Sequence, residues 1–154
     1  MTGIKINATV WLRAMFRREL DLRPPSLAKI NENSVVIYDS HSIPIGHATR
    51  INRWGGYEIN SLVVDPNHRG GGISHKLLEK CGTGRLFAYT RDIRLKSALE
   101  KAGFERAISP GLLCSLNVLL SRLAMVSWMI LSLEFERIIH QLKHIRDYKL
   151  YVRE

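Results

Sequence analysis

Leu62-Val63-Val64-Asp65-Pro66-Asn67-His68-Arg69-Gly70-Gly71-Gly72-Ile73-Ser74 is the stretch that decides how this chain is read. It opens on the end of a strand, Tyr57 to Val64, which Asp65-Pro66-Asn67 brings to a stop. It closes on a helix: Ile73, Leu77 and Leu78 fall on one face of a run that reaches Gly82. Between them, three glycines let the backbone take positive φ and carry its N–H groups close to a ligand. The helix adds unpaired N–H groups and the positive end of its dipole, so the loop is suited to a pyrophosphate without any lysine. Two other phosphate loops fit less well. No Gly-x-x-x-x-Gly-Lys-Ser/Thr spacing occurs. A dinucleotide fingerprint begun at Gly70 would need its third glycine at His75.

Working outward, Ser34 to Tyr38 and Ile43 to Ile51 read as a hairpin through Asp39-Ser40-His41-Ser42, with Pro44 at an edge or bulge. Downstream, Arg85 to Thr90 reads as a short buried strand. Asp92 to Lys101 reads as a helix with apolar residues at 95, 98, 99 and 102, ended by Gly103. Strand, helix, strand implies a right-handed crossover and a parallel pair, joined to an antiparallel first half. Upstream, Trp11, Leu12, Met15, Phe16 and Leu20 have helical spacing, stopped by Pro24-Pro25.

The tail, from Gly111 to Leu133, carries only Arg122 as a charge and is long enough to span a membrane. A charge at mid-span would cost about 2.5–3.5 kcal/mol, and five polar Ser and Asn residues dilute the apolar signal. The expectation is a buried helix near 112–122, a strand near 125–133 and a terminal helix over 134–154 appended to a single 1–154 domain. Membrane association is not expected.

The chain has 154 residues, 45% hydrophobic and 24% charged, which suits one globular core. Met1 to Lys5 shows no secretory pattern, so the cytoplasm is the expected compartment. Cys81 and Cys114 lack metal-ligand spacing and are expected to be reduced and buried, and the six histidines form no metal pattern. The net charge is +9. Residues 1–60, 61–104 and 105–154 carry +3, +4 and +2, so the excess is densest around the glycine loop. Such a field attracts any polyanion. Without Lys/Arg runs or interleaved aromatics, nucleic acid, tRNA included, is not the favoured partner.

Leu62 to Ser74, taken together with Leu86 to Thr90 and with Ala98-Leu99-Glu100-Lys101-Ala102-Gly103-Phe104, resembles the GNAT superfamily of N-acetyltransferases. The signature Arg/Gln-x-x-Gly-x-Gly/Ala falls on Arg69, Gly72 and Ser74, with serine standing where glycine or alanine is usual. The resemblance implies an α+β (mixed α/β) fold: a mixed sheet with an antiparallel N-terminal half, a splayed parallel pair, helices on both faces and, here, an extra helical C-terminal segment. It implies acetyl-CoA as co-substrate and no metal. The backbone of Leu62, Val63 and Val64 would pair with the pantetheine arm, and amides of Arg69, Gly70, Gly71, Gly72, Ile73 and Ser74 would hold the pyrophosphate. An amine would then attack the thioester directly.

That chemistry needs a neutral amine, a polarised carbonyl and a proton for the leaving thiolate. Glu58 is the candidate general base, four residues before Leu62, where some relatives carry a glutamate. Leu99 stands where a tyrosine acid is common, leaving Tyr89, Ser97, water or no acid at all. Asp92, in place of a common asparagine, is suited to cap the helix after it. The acceptor and the oligomeric state are open, a homodimer being one expected partner. A non-catalytic CoA- or partner-binding module is the alternative that Leu99 suggests.

Overall fold

The computed structural model describes residues 7–154. In chain order the elements are α1 (Ala8–Arg18), β1 (Ser34–Tyr38), β2 (Pro44–Asn52), β3 (Tyr57–Val64), α2 (Ile73–Lys80), β4 (Leu86–Thr90), α3 (Ile93–Lys101), β5 (Glu105–Ala107), α4 (Leu112–Leu131), α5 (Phe135–Lys143) and β6 (Lys149–Arg153). They form one six-stranded sheet in the order β1-β2-β3-β4-β6-β5. Only β3 and β4 run parallel; every other neighbouring pair is antiparallel. The mixed sheet expected from the sequence is therefore present, and the register slips beside Pro44, opposite Tyr38, as a bulge.

The two faces of the sheet follow from strand alternation. Leu86 and Ala88 of β4 join Ile59 and Val64 under α2 and α3, while Phe87 points the other way, under Cys114 and Val118 of α4. Val63 packs on that second face against Trp11, Leu12, Met15 and Phe16 of α1. The helix α2 lies close on β2 because position 46 has no side chain: a Cβ there would stand 2.7 Å from Ile73 Cγ2. Asp92 caps α3, its Oδ1 accepting from the Arg94 N–H at 2.8 Å. Both cysteines are buried and unpaired.

The tail corrects two expectations. Residues 112–131 form one unbroken helix, buried only at Cys114, Val118 and Met129, instead of a buried helix and a strand. No glycine or proline interrupts it. Ser127 and Ser132, which weaken the apolar pattern, return their hydroxyls to the carbonyls of Leu123 and Trp128 at 3.0 and 2.8 Å. The expected terminal helix over 134–154 stops at Lys143, and Lys149–Arg153 is instead a strand inserted between β4 and β5. Leu150 packs on the α4 face of the sheet and Tyr151 on the other, the period of two that a short strand requires.

The helix α5 docks on the end of α1 through a buried cation. Arg137 donates to the carbonyls of Glu19 (2.7 Å), Leu22 (3.0 Å) and Phe16 (2.8 Å). Those carbonyls lie at and beyond the negative end of the α1 dipole, where helix acceptors lack partners. Gln141 adds bonds to the carbonyls of Leu20 and Leu22. Segment 19–22 is thereby clamped, and the neighbouring Arg23 lines a cleft in the sheet.

Candidate active site

The parallel pair is the origin of the site. β3 and β4 are in register only at Tyr57 with Leu86 and Glu58 with Phe87. Beyond that point they separate, and the reason lies in β3. Between the pairs His47–Val63 and Thr49–Asn60, Ser61 and Leu62 together oppose Ala48, so β3 carries one extra residue. Ser61 takes φ of 52°, a left-handed conformation that costs a non-glycine residue of order 1–3 kcal/mol. A bulge of this kind bends a strand and ends its pairing. It leaves the backbone of Asn60 to Val64 facing that of Ala88 to Thr90 across a wedge.

A cavity of ≈ 1330 Å³ fills this wedge and runs from Glu58 to the glycine loop. Along its wall lie Leu62, Val63, Val64, Arg69, Gly70, Gly72, Ile73 and Ser74, so nearly all the residues singled out from sequence meet in one place. Gly71 sits in the loop without lining the wall. Gly70 and Gly72 take φ of 82° and 77°, and a Cβ on either would meet nothing within 4 Å. The conformation, then, and not crowding within the chain, is what demands glycine there. No side chain caps α2, so its first N–H groups stay open to an anion. Arg69 reaches back to Glu19 at 3.2 Å, and the Ile73 side chain turns into the core, leaving its backbone to the cleft. These features fit a diphosphate at the loop and an extended arm in the wedge.

At the opposite end Glu58 is 1% exposed and held by two arginines. Arg53, itself buried, donates to Oε2 from Nε at 2.8 Å and stands within 2.7 Å through Nη2. Arg53 is further fixed by Asn117 Oδ1 at 3.1 Å. Arg122, the one charge of α4, donates to Oε1 at 2.6 Å from a side chain that is 40% exposed. Arg23 lines the same end, and its buried Nε has no partner among the described residues.

Leu99 is fully buried in the core and offers no proton. Tyr89 and Ser97 both border the cavity. Burial, reinforced by the charge on Glu58, pushes the Tyr89 phenol above its ordinary pKa, so it stays protonated. Further along the wall, Asp21 accepts from Tyr148 (2.7 Å), from Arg91 Nε (2.9 and 3.0 Å) and from His140 Nε2 (2.9 Å). Burial opposes ionisation of Asp21, but the bonds from Tyr148, Arg91 and His140 hold its carboxyl below the ordinary value. His140 serves this network; no group of metal-binding side chains occurs among the described residues.

Arg23, Arg53, Arg122, Asp21 and Tyr148 were not anticipated as site residues. One of them had a signal in the sequence: Arg122 is the lone charge in an otherwise apolar stretch of more than twenty residues. Such a charge is expensive unless it has a buried partner.

Residues 7–82 match the model of the acetyltransferase (GNAT) family. That stretch, just under half of the chain, runs from α1 through the glycine loop to the end of α2. Among solved structures it is similar to an N-acetylglutamate synthase from Neisseria gonorrhoeae, complexed with coenzyme A and N-acetyl-glutamate. The TM-score is 0.57 at 18% identity, over 98% of this chain and 33% of that one. This chain thus spans about a third of that protein's length. No curated protein matches the sequence.

Proposed function

We propose that this protein is an acetyl-CoA dependent N-acetyltransferase that passes the acetyl group directly to a primary amine. The observation that carries the reading is the wedge itself: a strand-length gap between β3 and β4 with an uncapped, glycine-opened helix N-terminus at one end and an ionisable cluster at the other. Acetyl-CoA supplies an activated acyl group on a sulfur leaving group. Leu62 to Val64 offer backbone partners to its arm, and Arg69 to Ser74 offer amides to its pyrophosphate.

Glu58 is the proposed general base. Its Oε2 is fixed by buried Arg53, whereas Oε1 is held by the half-exposed Arg122 alone apart from a weak contact with Asn60 at 3.4 Å. When Arg122 moves aside, Oε1 accepts a proton from the acceptor's ammonium group, and the neutral amine attacks the thioester carbon. Collapse of the tetrahedral intermediate breaks the C–S bond. The nitrogen sheds its second proton, and Tyr89, protonated in its apolar setting, gives one to the departing sulfur. The products are the acetamide and the free thiol, with one proton released to solvent.

A cytoplasmic location is part of the same proposal. By length and composition α4 could cross a membrane, but insertion would pull Arg122 from Glu58 and Cys114, Val118 and Met129 from the core. The outward stripe of Leu113, Leu116, Leu120 and Leu123 is therefore assigned to a homodimer contact, checked by sedimentation of the detergent-free protein.

Thiol release from acetyl-CoA across a panel of amines tests the activity. Glu58→Gln should lower kcat and flatten its rise with pH, while leaving acetyl-CoA affinity intact. Acetyl-CoA binding without release for any amine would favour the non-catalytic module.

A further inference from the structure

The charges at the Glu58 end do not balance. Three guanidiniums, from Arg23, Arg53 and Arg122, surround one carboxylate, and the structure ties off only one of them. Arg53 is buried, chelates Oε2 and is anchored by Asn117. Arg122 spends one nitrogen on Oε1 and keeps the rest of its fork at the cleft. Arg23 faces the cleft with its buried Nε unpartnered. Burial holds the Arg23 guanidinium below its ordinary value; Glu58 opposes this, and the like charges of Arg122 and Arg53 add to it. The other acids on the cleft wall are committed elsewhere, Asp21 to Arg91, Glu19 to Arg69 and Asp92 to Arg94. Half-buried cations without counter-charges are costly, and a planar guanidinium fork matches a carboxylate.

The cofactor's phosphates are not the missing anion. Glu58 lies six residues before Val64 on β3, roughly 20 Å along an extended strand from the glycine loop. The unmatched cations therefore sit at the far end of the wedge, where the amine must arrive.

We propose that the acceptor is an amino acid-like molecule carrying a carboxylate next to its amine, and that Arg23 and Arg122 bind that carboxylate. This rests on the N-acetyltransferase reading above. It also gives Arg122 a reason to move: recruited to the acceptor's carboxylate, it uncovers Glu58 Oε1 only when a proper acceptor is present. Arg23, which makes no bond to Glu58, is then a specificity-determining residue.

The test pairs L-amino acids with their α-carboxamides as acceptors, scored by thiol release from acetyl-CoA. The amide's amine is the more readily neutral of the two, so a preference for the acid cannot arise from amine reactivity. The expected result is a kcat/KM at least tenfold higher for some acid than for its amide, and collapse of that ratio toward one in Arg23→Gln. Arg23→Lys, which keeps the charge, should restore part of it. A thermal shift with acetyl-CoA confirms that each variant is folded. Amides that serve as well as acids, or an unchanged ratio in Arg23→Gln, overturn the inference. So does acetyl-CoA binding with no acid acetylated. Absence of acetyl-CoA binding in the wild type would instead remove the underlying reading along with it.

Discussion

Replacing Glu58 by Gln separates the two arginine contacts of the site by magnitude. The Arg53–Glu58 pair is buried on both sides, and removing one partner of such a pair costs about 3–5 kcal/mol because the other charge is left uncompensated. A glutamine cannot accept from both guanidiniums through Oε2 and Oε1, and its own N–H₂ would face a donor. The Arg122–Glu58 contact has a solvated partner, so Arg122→Met should cost about 1 kcal/mol or less, even though its distance is the shorter one. For a chain of 154 residues, each kcal/mol moves Tm by about 2–4 °C, which puts Glu58→Gln roughly 6–20 °C below wild type. Urea unfolding at constant m gives both values. The double variant Arg53→Met/Glu58→Leu replaces the pair by apolar groups. It should be more stable than Glu58→Gln, as isosteric replacement of buried pairs often is. Equal losses in Glu58→Gln and Arg122→Met, or a loss under about 1 kcal/mol in the former, would refute the claim that burial decides the worth of these contacts.

Three further outcomes follow from the same structure. Gly46→Ala should destabilise by about 1–3 kcal/mol, because its Cβ meets Ile73 and Leu77 and α2 must lift from β2; thermal denaturation reads this directly. Asp21→Asn should cost about 1.5–3 kcal/mol at pH 7 through weakened bonds to Arg91, His140 and Tyr148. Since folding depresses the Asp21 pKa, its contribution is present above the unfolded value of 3.8 and is lost as pH falls through the lower folded value. The two unfolding curves should therefore converge only below pH 3.8. Burial pushes the Cys81 thiol up to about 11, against the charges of Arg50 and Arg153, so iodoacetamide at pH 8 should leave it unmodified until urea is added. Rapid labelling of the native protein, read by peptide mass spectrometry, would contradict that.

Elements set by local chemistry are legible in this sequence, whereas those set by long-range pairing are not. Leu62 to Ser74 could be read because its strand end, glycines and helix start are contiguous and each is set by local chemistry. Asp92, Gly103 and the hairpin around Ser40 are punctuated in the same local way. The tail resisted for a different reason. Its polar residues looked like breaks in an apolar run, while Ser127 and Ser132 are satisfied inside the helix and Arg122 is paired 64 positions away. Lys149 to Arg153 is too short to stand out, and its pairing with β4 and β5 is long-range. The cationic cluster draws on residues 23, 53, 58 and 122, which nothing but the fold brings together.

The wedge between β3 and β4 is proposed as an acetyl-CoA site. Titration calorimetry gives the dissociation constant, and a thermal scan at 100 times that concentration tests the linkage. The protein should gain about 2.7 kcal/mol, or roughly 5–11 °C, and Gly72→Val, forced into left-handed backbone at the head of α2, should lose most of that gain. No heat of binding and no shift with acetyl-CoA in the wild type would show that the wedge does not hold this cofactor.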